Sequence, residues 1–166
     1  MDLQTTLIGV FIALLFIFPF VYMNQAAKLR SRKALGHLRN LALQHQSDIG
    51  MFEYMSGFSC GLSTNEKKFF AMKKHGTDVI SYKVDLTEIN HCSLNNINRS
   101  VSGSGSSAIV TDSIELVFHH TDKAAGTTVV TVYNAEQDNP TLAGELQFAE
   151  KWQKTISGLL QHGRKK

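Results

Sequence analysis

Residues 3–27, LQTTLIGVFIALLFIFPFVYMNQAA, contain no charged side chain, and Leu7 to Met23 is almost wholly apolar. A helix rising about 1.5 Å per residue needs about 20 such residues to cross a hydrocarbon layer of about 30 Å. Lipid offers the backbone no hydrogen-bond partners, so a helix is the expected conformation, and a proline such as Pro19 is tolerated in it. Tyr22 lies near one end, where an amphipathic ring favours the membrane interface. Two other fates are open to such a stretch. A cleaved secretory signal wants a basic leader and a shorter apolar core, yet Asp2 is the one charged side chain that precedes it. A buried helix of a soluble core does not explain the basic cluster beside it. Residues 1–27 are therefore expected to be an uncleaved transmembrane anchor.

The flank sets the expected orientation. Lys28, Arg30, Arg32, Lys33 and Arg39 follow the span, with no acid until Asp48. Short Lys- and Arg-rich segments stay in the cytoplasm. The chain thus reads as a single-pass protein of a bacterial inner (plasma) membrane, N-terminus outside and the rest in the cytoplasm.

Charge is unevenly spread. The formal net charge is +3, but from Asn40 to Leu160 nine Lys and Arg stand against thirteen Asp and Glu, a balance of −4. A mildly acidic body argues against nucleic acid, which needs a basic stripe to neutralise phosphates. The two cysteines, Cys60 and Cys92, do not form a CxxC pair and read as packed thiols in a reducing compartment.

Residues 28–50 read as a basic juxtamembrane helix over about 26–46. Ala27, Ala34, Leu35, Leu38, Leu41 and Ala42 recur at three- and four-residue spacings. That stripe implies a partner, either the following domain or a second copy of the chain. Residues 51–166 then form the soluble domain. Phe58, Cys60 and Leu62 alternate with small residues; Lys67–Lys74 is a compact apolar strand; Ile80, Tyr82 and Val84 share a face. Strands are expected at Asn90–Ile97, Ile109–His120 and Thr127–Tyr133, with Arg99–Ser107 as a flexible hairpin tip. That makes six strands, and a seventh would lie in Ile49–Tyr54 or in the serine-rich stretch. A final helix over Leu142–Leu160, capped by Thr141, carries Leu146, Ala149, Trp152, Ile156, Leu159 and Leu160 on one stripe.

The segments FSCGLSTNEKKFFAMKK, DVISYKVDLTEINHCSLN, SIELVFHH, TVVTVYN and FAEKWQKTISGLL are similar in order and spacing to a pleckstrin-homology-like domain of the bacterial kind. The resemblance covers about Phe58 to Leu160. It implies an α+β fold: an antiparallel curved sheet or partly open β-barrel of six to seven strands, capped by the C-terminal helix. Some eukaryotic members bind phosphoinositides through basic residues of the first hairpin, where this chain offers Lys67, Lys68, Lys73, Lys74 and His75. Lysines beside an apolar strand also serve as a solvated edge.

No catalytic motif emerges. Gly103 and Gly105 lack the GK[ST] of a phosphate loop, and no serine sits in a GxSxG elbow. Adjacent strand residues point to opposite faces, so His119 and His120 do not share a metal, nor do His91 and Cys92. No cofactor and no metal is called for. The chain reads as a non-enzymatic, membrane-anchored binding or scaffold module that contacts an unidentified protein. A membrane-anchored enzyme and a lipid-headgroup-binding domain are the alternatives.

Overall fold

In the computed structural model of this protein the described residues are 25, 28–76, 78–103, 106–139 and 141–163, with side-chain burial not described for 101–108. The expected anchor, residues 3–27, lies outside them except for Gln25. No helix among the described residues is long and apolar enough to cross a membrane. The chain divides into two compact units, Met1–His37 and Leu38–Lys166. Residues 28–37 are helical in the first.

The second unit is α+β. Helix α1 ends within it (helical residues run from 28 to 44). Four strands follow, β1 (Ile49–Met55), β2 (Phe58–Ser63), β3 (Lys68–His75) and β4 (Asp78–Asp85). A 3₁₀ turn, Leu86–Glu88, leads to β5 (Ile89–Gly103), β6 (Ser106–His120) and β7 (Thr127–Asn134). Helix α2 (Glu145–Gly163) closes the unit. All pairing is antiparallel, in the orders β1-β2-β3-β4 and β5-β6-β7. The expected single curved sheet or partly open barrel is thereby corrected: there are two sheets, and neither closes into a barrel.

The short turns follow from local chemistry. Ser56 and Gly57 both take positive φ, 47° and 83°, between the paired Met55 and Phe58. A two-residue turn with both residues left-handed matches the twist of the strands it joins. In the next turn Asn65 Oδ1 accepts from Ser63 Oγ at 2.7 Å and Lys67 N at 3.3 Å, while Ser63 Oγ accepts from Lys68 N at 2.9 Å. Asp85 caps the 3₁₀ turn by accepting from Thr87 N and Thr87 Oγ1 at 3.0 and 2.6 Å.

Each sheet turns one face inward. Phe58, Cys60, Leu62, Phe69, Ala71 and Val84 from the first meet Cys92, Ile114, Leu116, Phe118, Val130 and Val132 from the second. Helix α2 adds Phe148, Ala149, Trp152 and Ile156 to the same core. Phe69 sits at the junction, 5.4 Å from the Phe118 ring and 5.8 Å from Trp152, within the range where tilted and edge-on aromatic pairs attract.

The outer face of the first sheet is covered too. Ser59, Gly61 and Ser63 place small residues there along β2, and Leu38 and Ala42 of α1 are fully buried. A methyl group built on Gly61 would lie 2.5 Å from the Met51 carbonyl oxygen, 3.1 Å from Ile49 Cγ2 and 3.2 Å from Leu38 Cδ2. The His45 ring stacks on Phe70 at 6.2 Å, and the Lys68 ammonium donates to the His45 carbonyl at 2.9 Å. Of the two partners expected for the stripe, the following domain takes Leu38 and Ala42.

The seventh strand is β1, in the first of the two stretches expected to hold it. Two local expectations are corrected. Strands β5 and β6 run on through the serine-rich stretch and pair as far as Gly103 and Ser106. Polar cross-strand links hold that extension: Arg99 Nε pairs with Asp112 at 2.9 Å and Thr111 Oγ1 donates to Asn98 Oδ1 at 2.9 Å. Helix α2 starts at Glu145 rather than Leu142, because Gly144 has φ +110° and its carbonyl accepts the Phe148 N–H.

Gly61→Ala should cost about 1–3 kcal/mol, as overpacking does, because the obstructing atom is backbone. Gly36→Ala, with nothing within 4 Å, should instead stabilise by roughly 0.5–1 kcal/mol through helix propensity. Denaturant midpoints of the two variants should therefore move in opposite directions.

Candidate functional site

The four candidate lysines do not converge. Lys73 is 2 % exposed, and its ammonium lies 2.7 Å from Asp138 Oδ2, which also accepts the Asn134 N–H at 2.8 Å. Lys68 is half-buried and committed to the His45 carbonyl. Lys67, the residue before β3, and Lys74, near its end, are both exposed. Seven residues of strand separate them by about 23 Å at roughly 3.3 Å per residue. Nor is β3 an edge: it lies between β2 and β4.

Beside the Lys73–Asp138 pair, a cavity of about 260 Å³ is lined by Ser56, Tyr133, Asp138, Asn139, Thr141 and Glu145 among others. Asp138, Tyr133 and Glu145 are engaged there. Tyr133 donates to the Asn139 carbonyl at 3.2 Å, and Glu145 accepts the Ala143 N–H. Burial, followed by the carboxylates of Asp138, Glu145 and Asp112, pushes the Tyr133 phenol above its ordinary value and keeps it protonated. No histidine or cysteine lines the cavity, so it lacks a nucleophile–base pair of the kind acyl transfer needs.

The remaining chemical groups are dispersed. The His91 and His119 rings stack across β5 and β6 at 4.0 Å, with His119 Nε2 3.0 Å from Ser93 Oγ. His120 Nε2 lies 2.9 Å from Thr128 Oγ1, and Asp122 caps a 3₁₀ turn by accepting the Ala124 N–H. Among the described residues no three His, Cys, Asp or Glu side chains form a metal-holding group.

Glu53 is the polar group that sequence reasoning missed. It lies on β1 opposite Cys60 and accepts from Trp152 Nε1 at 2.9 Å and from Lys151 Nζ at 2.8 Å. This ties the edge strand β1 to α2. Its role is structural, since the indole that reaches it is 2 % exposed.

The unpaired edge of the first sheet, β4, is the surface that stands out. It is hydrogen-bonded to β3 alone among the described strands. Val79 and Ile80 are 50 % and 45 % exposed there, and no proline interrupts it. An edge of this kind is a template for another strand unless charge or proline blunts it. Lys83 is the one basic residue on β4, with Asp78 and Asp85 at its ends.

No family model, no curated protein and no solved structure matches this chain.

Burial pushes the Cys92 thiol from an ordinary 9.0 up to about 12 and, with the Glu53 carboxylate adding to it, raises Cys60 as well. At pH 8 a thiol reagent should label neither cysteine in the folded protein and both after denaturation. A pKa raised on folding means the protonated thiol favours the fold. That contribution is complete below pH 9.0 and is lost as pH climbs toward about 12. Cys92→Ala should accordingly shallow the alkaline loss of stability over that window, by up to about 1.4 kcal/mol per pH unit.

Proposed function

We propose that this chain is a membrane-tethered, non-enzymatic binding or scaffold module of the pleckstrin-homology-like kind that acts by protein–protein contacts. Residues 3–27 anchor it in a bacterial inner membrane with the domain in the cytoplasm. The fold-family reading is supported by seven antiparallel strands followed by a helix whose single tryptophan enters the core. The observation that carries the functional reading is the contrast between committed polar groups and an uncommitted edge. The histidines of β5 and β6, the buried thiols and the cavity carboxylates are paired or packed, whereas β4 leaves a backbone edge with two exposed aliphatic side chains. An extended segment can add to such an edge, and a membrane tether raises the local concentration of partners that share the membrane.

Lipid-headgroup binding is the weaker reading because Lys73 is consumed by Asp138, and Lys67, just before β3, is far along the strand from Lys74. Association through α1 would fall to Leu29 and Leu43, 57 % and 60 % exposed, since Leu38 and Ala42 are buried.

Two measurements test the proposal. Alkaline phosphatase fused after Lys166 should be inactive in cells, whereas strong activity would reverse the orientation. A photo-crosslinker at Ser81 in the full chain should give discrete protein adducts that the Val79→Lys, Ile80→Lys pair abolishes. Adducts that persist in that pair, or a lipid-only product, would overturn docking at β4.

A further inference from the structure

The two faces of β4 differ in chemistry, and this difference bears on what the docking role proposed above accepts. Register places Val84, Tyr82 and Ile80 opposite Phe69, Ala71 and Lys73, so these three lie on the core side. Val84 is buried, Tyr82 half-buried and Ile80 45 % exposed, so the apolar surface emerges from the core toward the start of the strand. Val79, Ser81 and Lys83 lie on the other side, opposite Lys74, Met72 and Phe70.

That outer side is positive. Lys74 and Lys83 are exposed, and neither forms an ion pair among the described residues. Lys68 sits at the far end opposite Asp85, the one acid on this face of the β3–β4 pair. Asp85 is already occupied: the Thr87 hydroxyl and N–H, then Lys68 and Lys83, hold its carboxyl below the usual range. A strand added beside β4 would alternate its side chains between the two faces, with directly opposed Cβ atoms about 4.5–5.5 Å apart. One set would meet Ile80 and Tyr82; the other would meet Val79, Ser81 and Lys83 and approach Lys74.

We propose that the free edge of β4 accepts, as an added strand, an extended protein segment in which apolar residues alternate with Asp or Glu. The apolar residues cover Ile80 and Tyr82, and the carboxylates face Lys83 and Lys74. Backbone pairing supplies the attachment, and the lysines select the sign of charge and suppress basic competitors.

The test uses the full chain in detergent and synthetic peptides as long as β4, 8 residues. One alternates Val and Glu, one alternates Val and Lys, and one carries the Val-Glu composition as two blocks. Backbone amide exchange across 78–85 reads the edge, and a titration reads affinity. The Val-Glu peptide should slow exchange along β4 and bind at least roughly tenfold more tightly than the Val-Lys peptide, a preference that added salt weakens. Lys74→Glu with Lys83→Glu should invert the preference, with an unchanged thermal melt certifying the fold. Equal binding of both alternating peptides, or equal binding of the block peptide, would overturn the proposed chemistry. If the Ser81 adducts in cells depend on the edge while the Val-Glu peptide leaves β4 unprotected, docking stands and this inference falls. If the adducts also survive Val79→Lys, Ile80→Lys, both fall.

Discussion

Trp152 is the contact on which the domain depends. Two small sheets each present an apolar face, and no hydrogen-bonded ladder joins one to the other. Side-chain contacts hold them together, among them the Phe69–Phe118 pair, the Lys73–Asp138 ion pair and the packing of α2 against both. Its indole packs edge-on against Phe69 of β3 at 5.8 Å and beside Phe148 at 6.4 Å, and its N–H is satisfied by Glu53 of β1 at 2.9 Å. A buried indole without that acceptor would carry an unpaired donor, a penalty of about 1–3 kcal/mol. Loss of the whole side chain would remove about 3–5 kcal/mol, a large part of the roughly 5–15 kcal/mol that keeps a domain folded.

The same contact explains why β1 was hard to see in sequence. Glu53 lies on the core side because Trp152 needs an acceptor there, while Phe52 lies opposite Gly61 on the outer side. A register shift between Ile49 and Met51 breaks the alternation further. Acid inward and aromatic outward inverts the pattern by which a half-buried strand is recognised. The strands that were legible, β2, β3, β4 and β7, carry most of their large apolar residues at alternate positions on the core face, although Phe70 of β3 turns to the outer face against His45. The far ends of β5 and β6 were illegible for the opposite reason. Asn98, Arg99 and Thr111 are held by cross-strand polar links rather than burial, so no apolar period marks them.

The lysines show a second limit of sequence reading. Lys73 and Lys74 are neighbours in a polar-looking run, yet strand alternation sends them to opposite faces. Lys73 ends on the core side opposite Phe58, where it is stable only because Asp138, 65 residues later, supplies a carboxylate at 2.7 Å. Pattern gives the face; it does not give a partner so far along the chain. Burying an ammonium without a counter-charge costs several kcal/mol, so the loop after β7 and the end of β3 constrain each other. The lysine set suggested by hairpin position thus dissolves into one buried cation, one bound to a carbonyl, and two distant surface charges.

What distinguishes β4 from the other edge of its sheet is the fate of its neighbours. At β1 the edge is tied to α2 through Glu53, Lys151 and Trp152, and Ile49 is buried. Among the described residues no comparable cross-link reaches β4, whose first four residues are all exposed. Its protection consists of Lys83 and the terminal acids Asp78 and Asp85, and Asp85 is turned to its own 3₁₀ turn. Edges of soluble domains are ordinarily blunted by several charges, a proline or a bulge; β4 pairs with β3 over all of its 8 residues without a bulge. On the proposed reading, a body with a balance of −4 is repelled by an anionic bilayer when it comes within a screening length of about 8 Å. The tether then keeps the domain near the membrane without pressing this edge onto lipid, which leaves a regular, weakly guarded strand open to another polypeptide.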